Sequence, residues 1–144
     1  MEQGSMGRVL TEATIENLQD LWDAGRGLRP ADQVRRVVVP DALVDTGATM
    51  LSMPTGLIQQ LGLSPMYVRN ISTAVGRGQG KVYEAVRLTI MGRFCNMDVM
   101  EVPDSVPVLI GQIPLERLDF VVDPGKCTLI GNPAHGGDHV IELY

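Results

Sequence analysis

The chain has 144 residues, 44% of them apolar and 20% charged, a length and balance that suit one globular domain and would make two cramped. A net charge of −5 argues against a nucleic-acid partner, and no apolar run approaches the ~20 residues needed to span a bilayer. With aromatics at only 4%, the core has to come from Val, Leu, Ile and Met, the eight methionines acting as gap-fillers.

Residues 1–6 are set aside as an appended or disordered start, and 7–144 are read as a single domain. The β-branched residues of 8–15 predict a first strand. Over 16–24, Leu18, Leu21 and Trp22 fall at helical spacing, and Gly25, Gly27 and Pro30 then break the chain. Residues 34–39 predict a strand, Pro40-Asp41 a turn, and 42–44 a second short strand that delivers the chain into Asp45-Thr46-Gly47-Ala48-Thr49. Residues 50–53 continue extended. A short helix is expected over 54–61, with Pro54 early and Gly62 closing it. Strands over 68–75 and 81–91 flank Gly76-Arg77-Gly78-Gln79-Gly80, which reads as a hairpin tip. A Met91-Gly92 turn leads to a strand over 93–102. A short apolar strand over 106–110 ends at Gly111, and 114–118 predict one helical turn. Strands over 120–122, 127–130 and 140–143 finish the chain. The sum is mainly β: a small closed or semi-closed barrel with one or two short helices.

Asp45 is an acid at the end of an apolar strand, a costly place unless its carboxylate is hydrogen-bonded or protonated. Gly47 lets the backbone turn tightly and bring amide groups to that carboxylate, and Thr46 adds a hydroxyl with little bulk. Peptide hydrolysis by carboxylates needs two of them close enough to share a proton. The chain has no second Asp-Thr/Ser-Gly: Asp104-Ser105-Val106 lacks the glycine and Asp123-Pro124-Gly125 lacks the hydroxyl. A second copy related by a two-fold axis would supply the missing carboxylate.

The run Ala42-Leu43-Val44-Asp45-Thr46-Gly47-Ala48-Thr49 resembles the active-site segment of retropepsins, the retroviral-type aspartic proteases, and of their bacterial relatives. Val108-Leu109-Ile110-Gly111 resembles their downstream apolar-apolar-Gly segment, and the glycine-rich stretch 76–80 falls where that family has its flap. The resemblance implies a retropepsin-type barrel and a homodimeric aspartic endopeptidase. Asp45, Thr46 and Gly47 would be catalytic, and Ala48, Gly76, Arg77 and Gly78 would bind substrate. Gly111 would pack beneath the Asp45 loop. A peptide or protein substrate is expected, with no metal or organic cofactor and neither nucleic acid nor membrane as partner. The segments 16–30 and 132–144 exceed what the smallest viral enzymes carry. The alternative is a non-catalytic dimeric module that binds an extended peptide in the same cleft.

His135 and His139, set in a Gly-rich tail, are spaced like a metal pair but have no evident third ligand, and no metal is expected there. Asp41 reads as a turn residue. Cys95 and Cys127 lack CxxC spacing, and no basic-then-apolar leader is visible. Both observations point to buried thiols in a reducing cytoplasm.

Overall fold

The computed structural model describes residues 8–144, so the expectation for residues 1–6 lies outside the described residues. Strand β1 (Val9–Asn17) runs directly into helix α1 (Leu18–Gly25). Asn17 makes that switch: its side chain accepts from the Asp20 amide as the helix cap and donates to the Leu61 carbonyl at 2.7 Å. Strand β2 (Arg36–Val44), strand β3 (Leu51–Pro54) and helix α2 (Thr55–Leu61) follow. Gly62 ends α2 in the left-handed conformation, as its position implies. Strands β4 (Pro65–Thr73), β5 (Gly76–Ile90), β6 (Arg93–Val102) and β7 (Leu109–Ile110) lead to helix α3 (Gln112–Leu118). Strands β8 (Phe120–Asp123) and β9 (Thr128–Gly131) form a separate hairpin.

The fold is mainly β, as the pattern of short apolar runs implies. The main sheet closes on itself through six strands in the order β1-β2-β7-β3-β6-β5, because β5 pairs back onto β1. β4 hangs off the free side of β5. Two pairings in the ring are parallel, β2 with β7 and β3 with β6. The buried centre comes from alternate strand positions such as Ile15, Leu51, Met53, Leu88, Ile90 and Ile110, closed by Ile58 and Leu61 of α2 and by Leu115 and Leu118 of α3.

Several expectations need correction. Pro40-Asp41 is not a turn: β2 passes through both residues. The pairing with β1 slips there, between Val39 opposite Ala13 and Ala42 opposite Thr11. A bulge is a place where the missing proline amide costs little. Gly76, Arg77 and Gly78 lie inside β5, and the hairpin tip is Ala74-Val75, with Thr73 opposite Gly76. Three α-helices are present among the described residues, α3 starting two residues before Pro114. The strand expected over 140–143 is absent, and the tail is held by side chains instead. Of the described methionines only Met53 and Met100 are buried, whereas Met66 and Met91 are exposed. Cys95 and Cys127 are partly buried and are not joined by a disulfide.

The segment 16–30 has a structural role the sequence did not reveal. Asp20, fully buried, accepts both the Nε (2.8 Å) and Nη2 (3.0 Å) of Arg35 together with the Arg35 amide, and Arg29 adds a further charge at 3.4 Å. The fork of hydrogen bonds from Arg35 holds the Asp20 carboxyl below its usual range, despite burial. α1 is thus clamped to the start of β2. No helix among the described residues is long and apolar enough to cross a membrane.

Candidate active site

Asp45 sits where β2 ends, and backbone hydrogen bonds fix that point. The Leu43 amide donates to the Val108 carbonyl at 2.9 Å and the Asp45 amide to the Ile110 carbonyl at 3.0 Å, so β7 runs parallel beneath the strand that carries the acid. The Asp45 carboxylate accepts the Gly47 amide at 3.0 Å, and the Asp45 carbonyl accepts the Ala48 amide at 3.0 Å. This local turn orients the half-buried carboxylate, while Thr46 and Gly47 remain exposed. The Thr46 hydroxyl has no hydrogen-bond partner among the described residues.

The far side of the loop is tied down by the start of α3. The Gly111 amide donates to Met50, that of Gln112 to Ala48 at 2.8 Å and that of Ile113 to Thr49 at 3.0 Å. A helix's first amides have no partner within the helix, and here they fasten the loop. A Cβ added at Gly111 would lie 2.5 Å from the Met50 carbonyl oxygen and 2.8 Å from that of Ala48. Both are backbone atoms, so a side chain here would force the loop or β7 to shift. Asp45, Thr46, Gly47, Ala48 and Gly111 therefore form one unit. No hydrogen bond or ion pair among the described residues joins Gly76, Arg77 or Gly78 to it.

A model of the gag-polyprotein putative aspartyl protease family matches residues 38–117, from within β2 to the last turn of α3. The chain belongs to this family. The match contains the Asp45 loop, the β4–β5 hairpin and Gly111, in that order. No curated protein matches the chain.

In this member of the gag-polyprotein protease family, a second polar cluster lies at the opposite end of α3, and sequence reasoning missed its nature. Asp119 caps α3 at φ 58° and is buried. Its carboxylate accepts the Val140 amide at 3.0 Å and the Asn132 amide group at 3.2 Å, and it meets His135 Nδ1 at 2.6 Å. His135 Nε2 meets Glu142 at 2.7 Å. Arg93 donates to the Leu118 and Asp119 carbonyls at 3.0 and 2.9 Å and also to that of Gly137, with its guanidinium over the Phe120 ring. His139 Nε2 contacts the Arg117 carbonyl at 3.0 Å. The spacing that looked like a metal pair thus serves a strap: the tail folds back over the end of α3. The Val140 amide, then His135 and Asn132, holds the Asp119 carboxyl down at about 2. Glu142 first, and then Asp119, raises His135 above its ordinary value. A groove beside the strap, lined by Phe94, Ile113, Arg117 and Val140, does not include Asp45.

Proposed function

We propose that the chain is an aspartic endopeptidase working as a homodimer, in which Asp45 and its two-fold mate form the catalytic pair. The observation that carries this is the single Asp-Thr-Gly, its carboxylate held by the Gly47 amide and its loop presented on an exposed surface. One carboxylate, ionised, takes a proton from the attacking water. The other, protonated, donates a hydrogen bond to the scissile carbonyl, and the chemistry calls for no metal or organic cofactor. The unpartnered Thr46 hydroxyl is available to brace the facing loop across the axis. Gly47 and Ala48 line the cleft with backbone groups. The hairpin carrying Gly76, Arg77 and Gly78 covers an extended substrate by strand addition.

Asp45→Asn keeps the shape and removes the base. It is expected to leave a folded dimer by sedimentation and to lower peptide cleavage by several orders of magnitude. Equal cleavage by the two proteins would end the reading, as would a strictly monomeric wild type that cleaves. A dimer that binds peptides and cleaves none would make it a binding module.

A further inference from the structure

The hairpin from Pro65 to Lys81 has a charge unlike that of the rest of the chain. It holds three of the twelve basic residues, Arg69, Arg77 and Lys81, and none of the seventeen acidic ones. All three are exposed. Among the described residues, no carboxylate lies within 4.0 Å of any of them. On a chain of net charge −5, such an arm draws anionic ligands to one place.

The register divides the arm into two faces, because directly opposed residues of an antiparallel pair point the same way. Val68 faces Lys81, Asn70 faces Gln79 and Ser72 faces Arg77, so Arg77 and Lys81 share one face. Tyr67 opposite Val82, Arg69 opposite Gly80 and Ile71 opposite Gly78 occupy the other. Val82 is fully buried, so this second face is the one continuous with the core. Its β5 half is bare at Gly76 and Gly78, where an added Cβ would meet nothing within 4 Å. Among Tyr67, Ile71, Val82 and these glycines, Arg69 is the one charged residue. Its guanidinium lies over the Tyr67 ring at 4.6 Å, and the Tyr67 hydroxyl donates to Asp98 at 3.1 Å. Stacking fixes the direction of the guanidinium without using its donors. Among the described residues β4 pairs only with β5, which leaves its outer backbone edge open to an added strand. An edge of alternating amide and carbonyl groups suits a peptide rather than a nucleic acid.

We infer that the β4–β5 hairpin selects extended peptides bearing acidic side chains, with Arg69 meeting the acid and Arg77 and Lys81 steering it in. This rests on the reading of the chain as a peptidase and names its substrate class. The exposed setting limits the effect: one such contact is worth about 1 kcal/mol or less, or about fivefold in affinity.

The test measures binding by fluorescence anisotropy at low and high salt, using the full-length Asp45→Asn protein. The probes are matched extended peptides that differ only in Glu, Gln or Lys at one position at a time. In parallel, the wild type is assayed for cleavage of the same set. The Glu peptides are expected to bind about fivefold tighter than the Gln peptides at their best position and to lose that margin in high salt. Arg69→Gln is expected to erase the margin with an unchanged melting temperature, and Arg69→Lys to retain part of it. Arg77→Gln with Lys81→Gln is expected to flatten the salt dependence. A wild type that cleaves all three peptides alike overturns the acidic preference and leaves the peptidase standing. An Arg69-dependent acidic preference in binding, with no cleavage, keeps the preference and removes the peptidase. No binding to any peptide, or equal displacement by a single-stranded oligonucleotide, overturns the inference.

Discussion

The two ends of α3 are held by different chemistry. At its N-terminal end, Gly111, Gln112 and Ile113 give their amides to Met50, Ala48 and Thr49, backbone to backbone, and no side chain takes part. At its C-terminal end, Arg93, Asp119 and His135 hold the chain through side chains, two of which titrate. The first attachment is indifferent to pH and intolerant of added volume. The second responds to protons, through Asp119 and His135. A seven-residue helix thus joins a rigid support for the Asp45 loop to an adjustable clasp for the tail.

The sharpest way to break the rigid end is Gly111→Val. Its Cβ would meet three backbone atoms under 3.0 Å, so the loop or β7 must move. A loss of about 3 kcal/mol or more is expected by denaturant unfolding, together with loss of any cleavage. A variant as stable and as active as wild type would show that the close approach does not matter.

At the adjustable end, Arg93→Ala removes the donor to the Leu118, Asp119 and Gly137 carbonyls and the cation over Phe120. About 2 kcal/mol is expected, since the arginine is only half-buried and water replaces part of what is lost. Hydrogen exchange should speed up in 132–144 before it changes in the Asp45 loop. Equal acceleration at both ends would mean that α3 moves as one piece and that the contrast is false.

The smallest effect comes from pH alone. His135 is raised above 6.5, so the strap's contribution from it is fully present below that value and is lost as pH rises through the folded-state value. Asp119 is lowered from 3.8 to about 2, so its contribution is present above 3.8 and fades as pH falls toward 2. Protection of the Val140 amide, measured as an opening equilibrium, is therefore expected to peak between about 4 and 6.5. His135→Gln should remove the alkaline loss. A protection that stays flat across this range would show that the clasp holds without its proton.

The site's rigid half was legible because its determinants are close together in sequence or are glycines. Asp45-Thr46-Gly47 is a contiguous turn, and Gly111 after Val108-Leu109-Ile110 marks a close approach by its lack of a side chain. The clasp was not legible, since Arg93, Asp119 and His135 are far apart in the chain and each has an ordinary reading alone. Asp119 stands unremarked before the strand expected over 120–122, and His135 with His139 showed a metal-like spacing but no third ligand and so carried no reading. The same holds for Asp20 and Arg35, whose pairing depends on α1 folding back onto β2. The misplaced hairpin tip has another cause. Of the glycines in 76–80 only Gly76 takes a positive φ, and the others serve close packing or open space within a strand.

The parallel pairing beneath Asp45 has a consequence for how the chain acquires its shape. The β4–β5 and β5–β6 hairpins turn over two residues each, Ala74-Val75 and Met91-Gly92, and need only local chain to form. Leu43 meets Leu109 only after everything between them has been gathered in, and no short turn can make a parallel pair. The local hairpins are therefore expected early, and the β2–β7 contact late and slow. During synthesis Asp45 emerges well before the strand that positions it. The carboxylate stays on an unshaped loop until β7 and the first turn of α3 arrive, so a growing chain carries Asp45-Thr46-Gly47 for some time before the backbone that orients it.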